Sequence, residues 1–596
     1  MTAQEFYASR IETLTAERNK LLQKKSIFAV LRLGSIALII AVFYFLWSAG
    51  VAWVIAGALL LLIIFTRLVL KDIATKDTIN NLSHLIKINE DELKALEGNY
   101  YHFENGSGLN PSEHYYANDM DILGHASLYQ FINRTTSEIG SRQLAAWLLA
   151  PADTDEIIKR QNAIKELKNK TAWLQQLQAY GKEQSIKIDT TKRLKAWFDS
   201  PPIFLPFKPW QWLRYVLPAI IVGVSVAAYF DAVPMQLFYA SLLLYAIIAF
   251  QIDKYVSPIH EQLSKMVNEL NTLSKTIKAI ESENFQSPLL TQIQQQYAAG
   301  DTKASYKLSR LKKILDRLDL RYNIVISAPL NIFLLWNLQQ ALDLEKWKRQ
   351  YAGDSLLWFH HIGIFEALNS FATLHFNNPQ WVFPGFKEPH FFIEANNLGH
   401  PLINKNKRVN NFININNKAE IMLVTGSNMA GKSTYLRSVG INVILAMAGA
   451  PVCADVFNLS PVQLISSMRI ADNLEESTST FYAELKKLKT VIDKVNNHEH
   501  VFILLDEILR GTNSLDRHTG SAALIKQLIQ QKAAAVLATH DVQLAALQND
   551  YPENIVNYHF DVQVNNEELY FDYKLKPGVC TSLNASILMK KIGIEL

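Results

Sequence analysis

A glycine-rich loop at residues 425–434 holds the residues whose types and spacing best fit a chemical role. It reads TGSNMAGKST and follows the apolar run 421–424, which predicts a strand, a loop and then a helix. Gly426 and Gly431 would let the backbone curl, so that its N–H groups converge on phosphate oxygens at the start of the helix. Lys432 would reach the β- and γ-phosphates of ATP. The expected nucleotide-binding residues of this loop are Gly426, Ser427, Asn428, Met429, Ala430, Gly431, Lys432, Ser433 and Thr434.

A pair of carboxylates closes a second apolar run. Residues 501–505 read VFILL, which is typical of a strand buried on both faces of a parallel sheet. Asp506 and Glu507 follow at its carboxyl end, where ligands bind in such sheets. We expect Asp506 to hold Mg²⁺ together with the Ser433 hydroxyl, and Glu507 to polarise the water that attacks the phosphate. A third apolar run, 533–538, predicts another strand of the same sheet.

A hydroxyl-rich stretch lies between these two motifs and leads into an amphipathic helix. Taken alone, STST before a helix is an ordinary N-cap. The apolar face of that helix is expected to hold Phe481, Leu485, Leu488 and Ile492. Together, TGSNMAGKST, STSTF, LLDEILRGTNSLD and ATH resemble the ATPase domain of the MutS family of DNA mismatch-repair proteins. The resemblance covers about 120–200 and 256–596 and is strongest over 399–541.

The resemblance implies a homodimer with composite sites. In the family, two ATPase domains pair head to tail, and the serine-threonine segment of one subunit completes the nucleotide site of the other. Ser479 and Thr480 are the matching positions for this contact, and His540 matches the sensor of the γ-phosphate. Two positions depart from the family pattern. Ser427 stands where proline is usual and Leu509 where glycine is usual, but neither change removes a phosphate or metal group.

The totals of the composition constrain the function less than the motifs do. A chain of 596 residues predicts several domains, and its formal charge of +4 is too small to indicate nucleic-acid binding by itself. Its two cysteines, Cys453 and Cys580, are far apart and predict neither a metal site nor a disulfide framework. A hydrophobic fraction of 49% is high for a soluble ATPase and points to membrane segments.

Two pairs of apolar runs predict two transmembrane hairpins. Residues 26–47 and 51–70 are each about long enough to cross a bilayer as a helix, and a three-residue join connects them. Residues 213–230 and 233–250 form the second pair. Lys24, Lys25, Arg67 and Lys71 all flank the first pair on one side. The positive-inside rule therefore places the ATPase domain and both termini in the cytoplasm of a multi-pass inner or plasma membrane protein. The alternative for the first pair is a buried core hairpin.

The remaining sequence predicts helices that precede the ATPase domain. Residues from 121 onward resemble the start of the MutS lever domain, and 256–380 is expected to form long amphipathic helices. The predicted fold is an α/β P-loop NTPase domain of the ABC type, C-terminal to an all-α lever domain with two transmembrane hairpins. The expected parts are an N-terminal helix at 1–25, a hairpin at 26–70, a linker at 71–119, the lever at 120–205 and 256–385, a second hairpin at 213–250 and the ATPase domain at 386–596.

A run of cations at 303–321 leaves two interpretations open. It can form a phosphate-binding patch, or it can be a solvated helical face with interleaved acids, which is the interpretation we favour. The sequence also offers no match to the family's mismatch-reading domain, and the second hairpin replaces its clamp. We therefore expect a membrane-anchored MutS-like ATPase that changes the angle between its lever helices, with DNA binding implied by the family. The alternatives are a scaffold or signalling ATPase with a protein partner, and an ABC-type transporter component.

Overall fold

The computed structural model describes residues 1–298, 302–387, 391–416, 420–427, 430–468, 480–497, 499–565 and 568–580. Three predicted site residues, Asn428, Met429 and Ser479, lie outside these ranges. Thr480 is the first residue of a helix, but its side chain is not described.

The chain begins with two very long helices, α1 (Ala3–Leu46) and α2 (Val51–Leu96). Thr2 starts α1 with a capping box, because its hydroxyl accepts from the Glu5 N–H while the Glu5 carboxylate accepts from the Thr2 N–H. A second hairpin consists of α8 (Trp210–Tyr229) and α9 (Met235–Ser264). All four helices are long and apolar enough to cross a membrane.

The apolar parts of these helices do not pack into the rest of the protein. Only 6% of the most apolar window of each helix in the first hairpin is buried. A core hairpin, the alternative interpretation of the sequence, would bury those residues. Below this exposed part, α1 and α2 pack on each other, and Leu14 and Leu85 share a small core with Ala179. Arg32 pairs with Asp72 at 3.1 Å between the two helices.

Among the described residues, five further helices precede the second hairpin in the sequence and five follow it. Those before it are α3 (Leu128–Ile132), α4 (Glu138–Leu149), α5 (Thr154–Leu167), α6 (Thr171–Glu183) and α7 (Ile188–Asp199). Those after it are α10 (Val267–Ser282), α11 (Pro288–Tyr297), α12 (Ala304–Leu318), α13 (Ile324–Leu334) and α14 (Trp336–Asn377). The 42-residue α14 is the scaffold, since α4, α5, α9 and α12 all pack against it. Its Trp347 and Trp358 are fully buried core residues.

Helix α13 departs from the expected long amphipathic helices. It has only 11 residues, none of them buried, and it meets α14 at a bend of 78°. Leu335 makes the break with a left-handed φ of +46°. The cations of α12 also depart from a continuous patch. Lys307 is buried beside Trp358, and Lys312 pairs with Asp316, as in the solvated-face interpretation.

The C-terminal part contains two sheets. The smaller one has the order β1-β5-β2-β3 and the larger one β10-β9-β4-β8-β7-β6. Their strands are β1 (Gly385–Phe386), β2 (Ile393–Leu398), β3 (Asn411–Ile415), β4 (Ile421–Thr425), β5 (Val456–Leu459), β6 (Gln463–Ser467), β7 (Val501–Asp506), β8 (Ala534–Thr539), β9 (Ile555–Asn565) and β10 (Glu568–Pro577). The helices between them are α15 (Lys432–Ala448), α16 (Thr480–Asn496), α17 (Ser514–Gln530) and α18 (Leu547–Asp550).

The larger sheet is parallel across its centre, which confirms the three strands predicted from apolar runs. β4 pairs in parallel with β8 and β9, and β7 pairs in parallel with β6 and β8. All residues of β4, β7 and β8 are buried. Alternate side chains serve two cores: Leu504 faces the core shared with α15 and the helices that precede β1, and Leu505 faces the core shared with α16 and α17.

The predicted apolar face of α16 is wrong at one position. Leu485 is 39% exposed, whereas Glu484 is buried with Leu488 and Val491. Both registers are compatible with a helical period, because a stripe can step by three or by four residues after Phe481. The buried carboxylate of Glu484 is explained by its partner in the loop after β7, described below.

Candidate nucleotide-binding site

At its described residues, the loop between β4 and α15 has the backbone conformation that a phosphate-binding loop requires. Gly426 and Gly431 have φ values of +147° and +101°, which side-chain-bearing residues rarely adopt. A Cβ on Gly426 would also lie 2.9 Å from the Phe560 carbonyl oxygen. Gly431 caps α15, so the positive end of that helix faces the loop. These features match what the glycines were expected to do.

Lys432 is folded back onto its own loop. Its ammonium donates to the carbonyl oxygens of Gly426 at 2.6 Å and Ser427 at 2.9 Å. Burial lowers the pKa of Lys432, while the carboxylates of Glu507 and Asp506 act in the opposite direction. A buried cation beside carbonyl oxygens and acids is well placed to take a phosphate group instead.

Ser433 and Asp506 meet as the predicted metal ligands. The Ser433 hydroxyl donates to Asp506 Oδ2 at 2.5 Å, although the two residues lie on different elements. Asp506 Oδ1 is buried and has no hydrogen-bond partner within the described part of the chain. Burial raises the pKa of the Asp506 carboxyl, and the Ser433 hydrogen bond opposes that shift. An oxygen pair with one buried, unsatisfied lone-pair site fits Mg²⁺, which uses one or two protein oxygens alongside phosphates and water. Within the described ranges, no group of three or more His, Cys, Asp or Glu side chains could hold a metal by itself.

Glu507 lies at the centre of a charged cluster. Its carboxylate is 3.9 Å from Lys432 Nζ, 3.1 Å from an Arg510 nitrogen and 3.7 Å from His540 Nδ1. The structure therefore brings together Lys432, Glu507 and His540, which come from three separate motifs. Arg510 is an additional member that the sequence analysis did not assign. Its position three residues after Glu507 was the available signal.

The loop after β7 is strained at two residues. Glu507 and Leu509 have φ values of +48° and +59°, a conformation that costs a non-glycine residue about 1–2 kcal/mol. The Glu507 N–H donates to the Ala538 carbonyl oxygen at 2.9 Å. The Leu509 N–H donates to the buried Glu484 carboxylate of α16. Burial raises the pKa of Glu484, and its backbone hydrogen bonds to the loop oppose that shift. Thus, α16 fixes the loop that presents Glu507.

Phe481 adds a packing contact between the same two elements. A Cβ on Gly511 would lie 2.7 Å from the Phe481 Cβ, so the helix approaches the loop as closely as a glycine allows. Glu484 was not predicted from the sequence as a site residue. The available signal was its position. Glu484 lies three residues after Phe481 and four before Leu488, so an acidic residue interrupts an otherwise apolar helical stripe.

A cleft of about 360 Å³ extends from the loop and has the size of a small-molecule site. Its lining includes Lys432, Ser433 and Thr434 of the loop, the rings of His400 and Tyr573, and the cations Lys407 and Arg408. Burial lowers the pKa of His400 to about 4, so this ring is neutral at pH 7. The cleft therefore combines cations that suit phosphates with aromatic rings on which a base can stack. Two other residues of the loop are described: the Ser427 carbonyl oxygen accepts from Lys432, and Ala430 is buried.

Asp119 ties the segment before α3 to both flanks of the hydroxyl-rich stretch. The Asp119 carboxylate accepts from the Ser466 hydroxyl at 2.8 Å and from the Met468 N–H at 3.3 Å. It also pairs with Lys487 of α16 at 3.3 Å. Arg437 of α15 pairs with Asp121 at 3.0 Å. Both the nucleotide loop and the hydroxyl-rich stretch are therefore connected to one segment of the helical domain.

Comparison with known proteins places these motifs in a family. Residues 422–590 match the family model for MutS domain V. The mitochondrial DNA mismatch repair protein mutS homolog of Sarcophyton glaucum is 35% identical over 264 residues, which are 42% of this chain and 26% of that protein. The DNA mismatch repair protein MSH4 of Arabidopsis thaliana is 33% identical over 197 residues, which are 33% of this chain and 24% of that protein.

A further match is the human MutS protein homolog 4, which is 31% identical over 205 residues, or 33% of this chain and 22% of that protein. The matches thus span about a quarter of the length of these curated relatives. MutS domain V is an ATPase domain of the P-loop type, in agreement with the strand–loop–helix geometry of residues 421–448. Over residues 422–590 the chain is therefore similar to MutS domain V, and the relatives it matches are MutS homologues.

Proposed function

We propose that this chain is a magnesium-dependent ATPase. The observation that carries the proposal is the convergence of Lys432, Ser433, Asp506 and Glu507 at the carboxyl ends of β4 and β7. Lys432 exchanges its two loop carbonyls for the β- and γ-phosphates, and the N–H groups of 426–434 hold the same phosphates. Ser433 and Asp506 would hold Mg²⁺, which would supply positive charge to the phosphate oxygens. Base and sugar occupy the remainder of the cleft, where Tyr573 is one of the lining side chains.

Glu507 is the group that orients the attacking water in this proposal. Once Lys432 turns to the phosphates, the Glu507 carboxylate, still paired with Arg510, accepts a proton or hydrogen bond from water. His540, 3.7 Å from that carboxylate, contacts the γ-phosphate side and responds to its presence. The hydrogen bonds from the loop to Ala538 and Glu484 keep the carboxylate in place.

We further propose that two copies complete each other's sites. Ser479 and Thr480 of one subunit would contact the nucleotide bound by the other, as the family resemblance implies. Thr480 begins α16, the helix that carries Glu484 and Lys487. A nucleotide contact at its start can therefore reach Glu507 through Glu484 and the helical domain through Asp119. This connection is the proposed route by which ATP changes the angle of the lever helices.

The four apolar helices anchor this ATPase in a membrane in our proposal. Support comes from their length and from the exposure of their apolar side chains, such as Leu38 at 56% and Leu243 at 64%. Exposed leucines at this density are unfavourable in water, since each buried side chain of this size gains about 1.5–3 kcal/mol. With the basic residues flanking the first hairpin inside, the ATPase domain faces the cytoplasm.

DNA is the proposed ligand that hydrolysis is coupled to, because two of the matched relatives are named as DNA mismatch repair proteins. The experiment measures ATP turnover of the solubilised full chain with and without duplex DNA, at low and moderate salt. Stimulation that fades with salt is expected, because phosphate contacts release counterions. A rate of hydrolysis that is the same with and without DNA at both salt concentrations would favour a protein partner in place of DNA. A transporter role would instead require stimulation by a transported solute.

A further inference from the structure

Helix α13 presents a further exposed apolar surface beside the hairpin of α8 and α9. Its sequence, IVISAPLNIFL, has no charged residue, and uncharged residues continue from 322 to 342. Ile324 and Val325 are 77% and 79% exposed, higher than most apolar side chains of the hairpins themselves. Such side chains at the start of a helix need an apolar environment that the described chain does not provide.

The position of α13 indicates what that environment is. It packs against both α8 and α9, the two helices of the second hairpin. Phe250 of α9 is 73% exposed and lies one turn before Asp253, the residue that receives Arg321 from the segment preceding α13. The exposed apolar surface of the hairpin therefore continues onto Ile324 and Val325.

Charged and polar groups hold both ends of α13 at the same level of α9. Asp253 pairs with Arg321 at 3.1 Å just before the helix and accepts from Asn337 at 2.7 Å just after it. Arg214 of α8 pairs with Asp343 of α14 at 2.9 Å near the same end of the hairpin. A helix of 11 residues that is tied at both ends to one residue runs across the hairpin rather than along it. The bend of 78° to α14 agrees with this direction.

Aromatic side chains mark the same level. Trp212, Tyr215 and Tyr322 are 57%, 63% and 69% exposed. Trp and Tyr concentrate where a membrane meets water, because one end of the ring is apolar and the other polar. The backbone at the break is also satisfied by side chains: Asn331 accepts from the Asn337 N–H at 2.9 Å, and Gln339 donates to the Leu334 carbonyl at 2.9 Å. Satisfied backbone groups are what an irregular segment needs at membrane depth.

We propose that α13 is an interfacial membrane helix, lying across the foot of the second hairpin with Ile324 and Val325 among the lipid acyl chains. The occupant of this surface is the bilayer. The inference rests on the proposed membrane anchoring of α8 and α9, which the experiment tests separately. It adds a contact between the membrane surface and α14, the helix around which the lever domain packs.

The test measures the depth of single fluorescent labels in liposomes that contain the full chain. Cys580→Ser removes the more accessible native thiol, and Cys453 is buried. A label is attached at Val325→Cys, with Leu243→Cys as the control in α9 and Lys313→Cys as the control on the exposed face of α12. Lipids with a doxyl group on the acyl chain quench labels in the bilayer, and iodide quenches labels in water.

The expected result is that labels at 325 and 243 are quenched by doxyl lipids and protected from iodide, with the reverse at 313. Quenching of 325 by iodide while 243 stays in lipid would overturn the inference and leave the anchor in place. Protection of 325 from both quenchers would also overturn it, because protein would then cover the helix. Iodide quenching at both 325 and 243 would remove the membrane anchor together with the inference.

Discussion

Replacement of Glu484 by alanine tests whether α16 positions the catalytic loop. The change leaves the Leu509 N–H without its acceptor, and an unpaired buried N–H costs about 1–3 kcal/mol. Leu509 also holds a left-handed φ of +59° that the hydrogen bond helps to maintain. If the loop relaxes and Glu507 leaves its position, the free-energy cost of restoring that position is added to the activation free energy of hydrolysis. At about 1.4 kcal/mol per factor of ten, kcat should fall between about fivefold and about 150-fold.

The assay is steady-state ATP hydrolysis, with kcat and KM measured separately. KM for ATP should change little, because the partners of Glu484 among the described residues lie in the loop after β7 and not in the phosphate loop. Glu484→Gln is the matched control, since its amide oxygen still accepts from the Leu509 N–H and kcat should stay near the wild-type value. A kcat for Glu484→Ala within twofold of wild type would refute the positioning role. Equal losses in the alanine and glutamine variants would also refute it, because the charge rather than the hydrogen bond would then matter.

Four further outcomes are expected. Lys432→Ala should lose nucleotide binding, measured with a fluorescent ATP analogue; unchanged affinity would show that the phosphates bind elsewhere. Mixed chains carrying Lys432→Ala and Ser479→Ala should regain activity through one working composite site, whereas no recovery would count against the paired arrangement. Because burial raises the pKa of Asp506, protons should compete with Mg²⁺ at higher pH than for an ordinary carboxyl. The Mg²⁺ concentration for half-maximal turnover should therefore rise as pH falls from neutral, and Asp506→Asn should remove that dependence along with most activity. Asp119→Asn should weaken the pairing with Lys487 and reduce any DNA stimulation more than basal turnover; equal losses of both would contradict its coupling role.

The centre of the ATPase domain follows closely from its sequence. β4, β7 and β8 are fully buried strands, and fully buried strands read as unbroken apolar runs. The positions of Gly426 and Gly431 were predictable because their φ values are accessible mainly to glycine. Ser433 and Asp506 were predictable as a pair, since parallel strands end at one edge of the sheet.

The remaining features depend on contacts between distant parts of the chain. A period of about 3.6 residues cannot decide between Glu484 and Leu485 on the buried face of α16. The partner that explains Glu484 is the Leu509 N–H, on a loop that follows a different strand. Leu509 shows the same limit, because it keeps a left-handed φ where the family usually has glycine. Its N–H donates to Glu484 and its own side chain is buried, and both contacts hold this conformation.

Helix α13 illustrates a second limit. The sequence from 304 to 377 carries no glycine or proline at the break, which lies at Leu335. Only the contacts of Asp253 with Arg321 and Asn337 show that the chain turns back across the second hairpin. An apolar stretch of 11 residues is also too short to be recognised as a membrane span.

The most direct measurement is Mg²⁺-dependent ATP hydrolysis by the purified full chain beside its Glu507→Gln variant. The variant keeps the size and position of the side chain but removes the carboxylate that orients water. Turnover by the wild-type chain, with hydrolysis lost and ATP binding kept in the variant, is the predicted result. Equal turnover by both chains, or none by the wild type with Mg²⁺ present, would contradict the assignment of this site as an ATPase centre.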